Sequence, residues 1–291
     1  MIRLFPILSM MVCCCGGCFG PAPAGEFVGQ AQRLHDGALA SAITANADLR
    51  DYVQLIGKRI IASARAAEPG KAHDELFEQM QFHLVVCDVP NVFTTGGPHV
   101  YLYSGLFGQC RSEDELAAAM AHAYAHALDL DAERIGIQPD PGLPLARVGW
   151  EFVIHRFTLA QEQSADRLAF ELYAQAGYDP QKFAALFDRL AAVPGGISPD
   201  RMALATRAQQ ARQWAASAPK TRRPLPVADP RTFDLLRRQA ASLNPQLVNH
   251  DAQLLLRAFP NCMLAGDTPD QQAAQQQLQP PTPPPTRLEP S

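Results

Sequence analysis

His122 and His126 stand four residues apart in the run ELAAAMAHAYAHAL. On a helix of 3.6 residues per turn, such positions differ by about 40° around the axis. Both imidazoles therefore leave one face a turn apart and can share one zinc ion. In a chain with eight His, two solvated helix histidines give the same spacing, so further donors are needed. Glu162 and Asp166, again four apart in QEQSADRLAF, supply them. Glu162 would complete a His-His-Glu site with a fourth position open, the arrangement used where zinc polarises water or a carbonyl. Asp166, one turn on, is placed to accept the other ring N–H of a ligand histidine. The plain alternative for this pair is a solvated helix face with an acid paired to Arg167.

These donors need rigid elements beneath them. Residues 47–66 place Leu49, Tyr52, Val53, Leu55, Ile56, Ile60 and Ile61 at helical spacing, which predicts a packing helix. FHLVVC (82–87) and HVYLY (99–103) are β-rich runs around a Gly-containing turn and predict a small sheet. Ser112, with Glu115 three residues on, predicts a capped start to the histidine helix. After the break QPDPGLP, a second long helical run extends from about 148 to 176 and is stopped by Gly177. Asp179-Pro180 opens a further helix, which Pro194-Gly195-Gly196 ends.

A strand segment FHLVVCDVPNVFTTGGPHVYLYSGL, a helix ELAAAMAHAYAHAL, then E-x-x-A-D followed by RLAFELYAQAGYDPQKF occur in that order. From about residue 48 to 219 the chain closely resembles the M48 peptidases. These are gluzincin metalloendopeptidases that include HtpX-like and BepA-like envelope proteases and the CAAX prenyl proteases. The resemblance implies an α+β, mainly helical, zincin-like fold with a small β-sheet beside the metal-binding helix. It also implies one zinc ion, with His122, His126 and Glu162 as ligands and Asp166 as the acid behind them. The segment containing Gly97, His99, Val100 and Tyr101 would be an edge strand along which an extended protein substrate adds main-chain hydrogen bonds.

The family signature is H-E-x-x-H, whose Glu takes a proton from zinc-bound water, and here Ala123 occupies that position. Loss of a positioned general base removes about 10² to 10⁴ in rate, roughly 3 to 5 kcal/mol of barrier. Arg207, in LATRAQQAR, stands where the family has a histidine. It would put a permanent cation on the oxyanion side, unable to act as acid or ligand. No substitute base is evident. Glu115 lies two turns before His122, about 10 Å along the axis, and Tyr124 points off the ligand face. These features favour a zincin with proteolysis lost or strongly weakened that binds unfolded or envelope protein segments. An active metalloendopeptidase with a substitute base and a metal-free structural module are the alternatives.

The composition fits this reading. Forty-seven per cent hydrophobic and 19% charged residues over 291 positions support a substantial core, and a formal charge of −4 argues against nucleic acid as partner. Residues 1–24 have the n-, h- and c-region grammar of an export signal. Lipidation at Cys18, cleavage after the A-x-A of residues 22–24, and an uncleaved anchor are the competing readings. The expected location is the periplasm, or a membrane held by a lipid anchor only. The expected divisions are a peptidase-like domain over 25–219, a C-terminal helical extension over 220–266 and a disordered Pro/Gln-rich tail over 267–291. His83 and His99 read as strand residues with a ligand role open. The pairing of Cys87, Cys110 and Cys262 is also open.

Overall fold

The computed structural model describes residues 24–67, 80–95, 98–128, 157–192, 198–218, 226–259 and 269–278. The expected export signal, Cys18, Gly97, Cys262 and the proline run of the tail lie outside them.

Two helices open the chain, α1 (Ala24–Gly37) and α2 (Ala47–Ala67). Leu49, Val53, Ile56 and Ile60 form the fully buried stripe of α2, while Leu55 is 51% exposed. Leu55 therefore leaves the expected apolar face, because it sits about 100° around the axis from Ile56. A three-stranded sheet follows, with β1 (Gln81–Val85), β2 (Val92–Thr94) and β3 (His99–Tyr103) in the order β1-β3-β2. β1 is parallel to β3, and β2 is antiparallel to it. His99, Val100 and Tyr101 therefore lie on the central strand, which corrects the expected edge. Among the described residues β2 is the outer strand on one side, and the outer side of β1 is covered by residues 42–44 through Thr44 N–H to Leu84 O and Val86 N–H to Ala42 O.

Each face of the sheet packs on a separate core. Phe82, Leu84, Val92, Val100 and Leu102 face the larger core, which holds α2 and the histidine helix. Val85, Phe93, Tyr101 and Tyr103 face a smaller core closed by α1 and a C-terminal helix. Burial on both sides explains why all five residues of β3 are buried and why HVYLY lacks polar alternation.

After α3 (Ser104–Gln109) comes the histidine helix, α4 (Glu113–Leu128). Fourteen of its 16 residues are buried, so it is a central helix rather than an amphipathic surface one. Its alanines let neighbours approach on every side. The acids at its start favour the positive end of the helix dipole, and each is held. Glu113 accepts from Tyr52 O–H and from the backbone N–H groups of Val227 and Ala228. Asp114 accepts from Asp179 N–H and Lys182 Nζ. Glu115 takes both prongs of Arg189 at 2.6 Å. Ser112 caps as expected, accepting from Glu115 N–H, but Glu115 reaches back to Arg111 N–H rather than closing the box on Ser112.

Helix α5 (Leu159–Gln175) starts at a Thr158–Gln161 capping box and ends before Gly177 at φ 87°, a left-handed position that suits glycine. Then come α6 (Pro180–Ala191), capped by Asp179 with Pro180 in its first turn, and α7 (Ser198–Ser217). Phe233, Leu236 and Ala240 of α8 (Pro230–Ala241) belong to the same core as α2 and α4, so residue 219 is no packing boundary. Helix α9 (His250–Ala258) covers the other core, where Tyr103 O–H donates to Leu256 O at 2.6 Å. Part of the expected disordered tail is ordered: Pro269–Leu278 forms α10, with Ala274 and Leu278 packed on Ala258 and Leu254. A proline start and an apolar pair four apart suffice for this short helix once a surface is offered to it. Cys87 and Cys110 are buried free thiols. No helix among the described residues is long and apolar enough to cross a membrane.

Candidate metal centre

Helices α4 and α5 bring His122, His126 and Glu162 together, their ligand atoms all within 4.8 Å of one another and all three residues buried. His122 Nε2 lies 3.2 Å from His126 Nε2. Glu162 Oε2 lies 3.2 Å from the former and 3.7 Å from the latter. Donors bound to a tetrahedral ion at about 2.0 to 2.2 Å would stand about 3.3 to 3.5 Å apart, so the observed separations match that spacing. Glu162 Oε2 is a buried carboxylate oxygen with no hydrogen-bond donor aimed at it, and leaving it so is costly. The two imidazoles and this oxygen therefore fit a zinc ion.

Asp166, one turn after Glu162, places Oδ1 2.9 Å from His122 Nδ1. The contact is close enough for charge pairing, but the ring N–H is not directed along it. Arg207 of α7 reaches the same carboxylate with both prongs, at 2.6 and 2.8 Å, and comes within 3.3 Å of Glu162 Oε2. Its guanidinium also lies 4.7 Å from the centre of the Phe187 ring. Arg207 is thus a 2% exposed cation anchored beside the ligands rather than a group reaching into open space. Its distance to the ligand carboxylate makes it an electrostatic competitor for any dication there.

The charges follow from this packing. Burial opposes protonation of His122, but the adjacent Asp166 and Glu162 outweigh it and push its pKa up to about 9. Burial would raise Glu162, yet His122, His126 and Arg207 hold it well below the usual carboxylate range. Asp166 is likewise kept ionised against burial, chiefly by Arg207. Two cations then balance two carboxylates without a metal, and an ion binding here would replace the proton on His122.

Ala123, in the general-base position, is 1% exposed and belongs to the larger core. Tyr124 lies on another side of the helix, its ring 6.1 Å from that of Phe82. Glu115 is engaged by Arg189, as described. Phe157, whose ring stacks on His126 at 4.0 Å, was not expected at the site. It falls within the helical run expected from about 148, but the helix starts only after the Thr158 cap. Both β2 and β3 pack on α4.

Comparison with known proteins agrees with this assembly. A model of Peptidase family M48 matches residues 50–138, which include both histidines. The beta-barrel assembly-enhancing protease of Yersinia pestis is 26% identical over 168 residues, covering 49% of this chain and 33% of that protein. Residues 50–138 thus resemble the M48 peptidases. Similar proteins also include the mitochondrial metalloendopeptidase OMA1 of Schizosaccharomyces pombe, 27% identical over 159 residues, covering 50% of this chain and 44% of the relative. The Escherichia coli K12 beta-barrel assembly-enhancing protease is 25% identical over 167 residues, at 49% and 32% coverage. The chain thus spans about a third to under half of the length of these curated relatives.

Proposed function

We propose that this M48-like protein is a zinc-binding member of the bacterial cell envelope whose proteolytic chemistry is lost or strongly weakened, and that it holds protein segments rather than cutting them. The observation that carries this reading is Ala123, a buried methyl group in the base position of an otherwise complete donor trio. His122, His126 and Glu162 would hold the zinc, which when bound would supply Lewis-acid polarisation. The chain's own residues supply orientation and charge. Asp166 fixes His122, and Arg207 neutralises Asp166 and pulls on Glu162. The two acids in contact with the histidines are therefore both occupied, and neither is a free base.

An extended segment would add to the sheet at β2, the outer strand of the described sheet, which packs on α4. An envelope location rests on the export-type leader sequence, with lipidation at Cys18 as one of its processing routes. The test is paired metal and activity analysis of the purified chain. One equivalent of zinc that is lost specifically in His122→Ala, with no chelator-sensitive cleavage of unfolded casein and measurable peptide binding, supports the proposal. Casein cleavage abolished by Glu162→Ala overturns it.

A further inference from the structure

On the opposite face of the sheet, three more histidines converge. His83 of β1 and His99 of β3 project toward the smaller core, and His35 of α1 lies over them. One nitrogen from each falls within 4.8 Å of the others. His83 Nε2 and His99 Nδ1 are 3.0 Å apart. The second nitrogens of His99 and His35 are already committed. Gln32 donates its amide N–H to Asp36 Oδ1 at 3.0 Å, which turns its carbonyl oxygen toward His99 Nε2, also at 3.0 Å. His99 must then carry its proton on Nε2 and present the lone pair of Nδ1 to His83. His35 Nδ1 meets Tyr101 O–H at 2.9 Å, leaving Nε2 as its ligating atom. A metal-binding histidine characteristically has its second nitrogen held in this way by a carbonyl, carboxylate or hydroxyl.

We propose that His35, His83 and His99 form a second metal site, for a borderline divalent transition ion such as Zn²⁺, independent of the His122 centre. Three imidazoles and no carboxylate suit such an ion better than Mg²⁺ or Ca²⁺. The ligands are also neutral at neutral pH. Burial and its imidazole neighbours take His83 down to about 3, and burial with the nearby His35 takes His99 to about 4, against a smaller opposing pull from Asp36. Ion binding then needs a tautomer shift at His83, from Nε2–H to Nδ1–H, and no net loss of a proton. His35 now stacks on His99 with ring centres 4.0 Å apart and planes 10° from parallel. It joins the site by turning about its side-chain bonds, which its partial exposure permits.

The experiment compares zinc content after dialysis, and the absorption of the Co²⁺-loaded form, for the full chain and four variants. His83→Gln is expected to hold one equivalent fewer than the natural chain. His35→Gln and the positioning variant Gln32→Ala are expected to weaken that equivalent by about 10- to 100-fold, and His122→Ala is expected to retain it. His35→Gln changes a partly exposed helix residue, so it tests the site even if His83→Gln fails to fold. Equal zinc content in the natural chain and in folded His35→Gln and His83→Gln overturns the proposal. So does a metal signal that disappears entirely in folded His122→Ala.

Discussion

Placing a carboxylate at position 123 tests the proposal that one missing group weakens the chemistry. Ala123 is buried in α4 beside His122, and Ala123→Glu adds four heavy atoms to a close-packed core. Overpacking of this kind costs about 1 to 3 kcal/mol of stability, so a lower melting temperature is expected along with any gain in rate. A positioned base contributes about 10² to 10⁴, or roughly 3 to 5 kcal/mol of barrier. The lower end applies here, because Arg207 remains 3.3 Å from Glu162 Oε2 and opposes the ligand carboxylate. The expected outcome is therefore an increase of about 100-fold in chelator-sensitive cleavage of unfolded casein by Ala123→Glu, absent from Ala123→Glu/Glu162→Ala. A folded, zinc-loaded Ala123→Glu chain no faster than the natural one would refute the idea that the base is the missing element. Natural protein already cutting at the restored rate would refute it as well.

Arg207→Ala leaves Asp166 buried opposite no guanidinium, and urea unfolding should show a loss of about 3 to 5 kcal/mol. A loss below about 1 kcal/mol would mean that the bidentate contact is not holding the charge. Lowering the pH should destabilise the fold through the second histidine cluster. His83 and His99 have pKa values depressed to about 3 and 4, so below about 6.5 the unfolded chain takes up protons that the folded chain refuses. Their stabilising contribution is complete above that pH and is lost as pH falls toward the folded values. Counting the coupled pair as one net proton gives about 2 kcal/mol between pH 6.5 and 5. Denaturant midpoints should show this slope, and His83→Gln should flatten it. Gly105→Ala should destabilise by about 1 to 3 kcal/mol, since a Cβ there would stand 2.1 Å from the carbonyl oxygen of Asp88. Unchanged thermal melting would contradict that close approach.

The donor trio was legible because its residues are typed and spaced for one helix face each, and helix caps at Ser112 and Asp179 carry local chemistry, whereas the cap at Thr158 lay inside the run read as helix from about 148. The strand order was less visible, although one clue was present. HVYLY has no polar alternation, which marks a strand covered on both faces and so argues for the centre of the sheet rather than its edge. The grip of Arg207 on Asp166 links residues 41 apart across separate helices. A lone arginine in a helical run does not announce a partner at that distance. The cluster of His35, His83 and His99 was hidden for the same reason, because its members come from α1, β1 and β3 and meet only through packing. The Gln-rich stretch of α10 reads as a tail until Ala258 and Leu254 give its two apolar residues a surface.

The balance of Arg207 and His122 against Asp166 and Glu162 has a consequence for the order of assembly. A site that is charge-neutral before any ion arrives does not need the ion to close the core around it, unlike small zinc modules that are unfolded without metal. Folding and loading can then be separate events, and on the proposed envelope location a metal-free chain can fold first and acquire an ion afterwards. Occupancy would follow the metal supply of the compartment the folded protein reaches, rather than that of the compartment in which it was made.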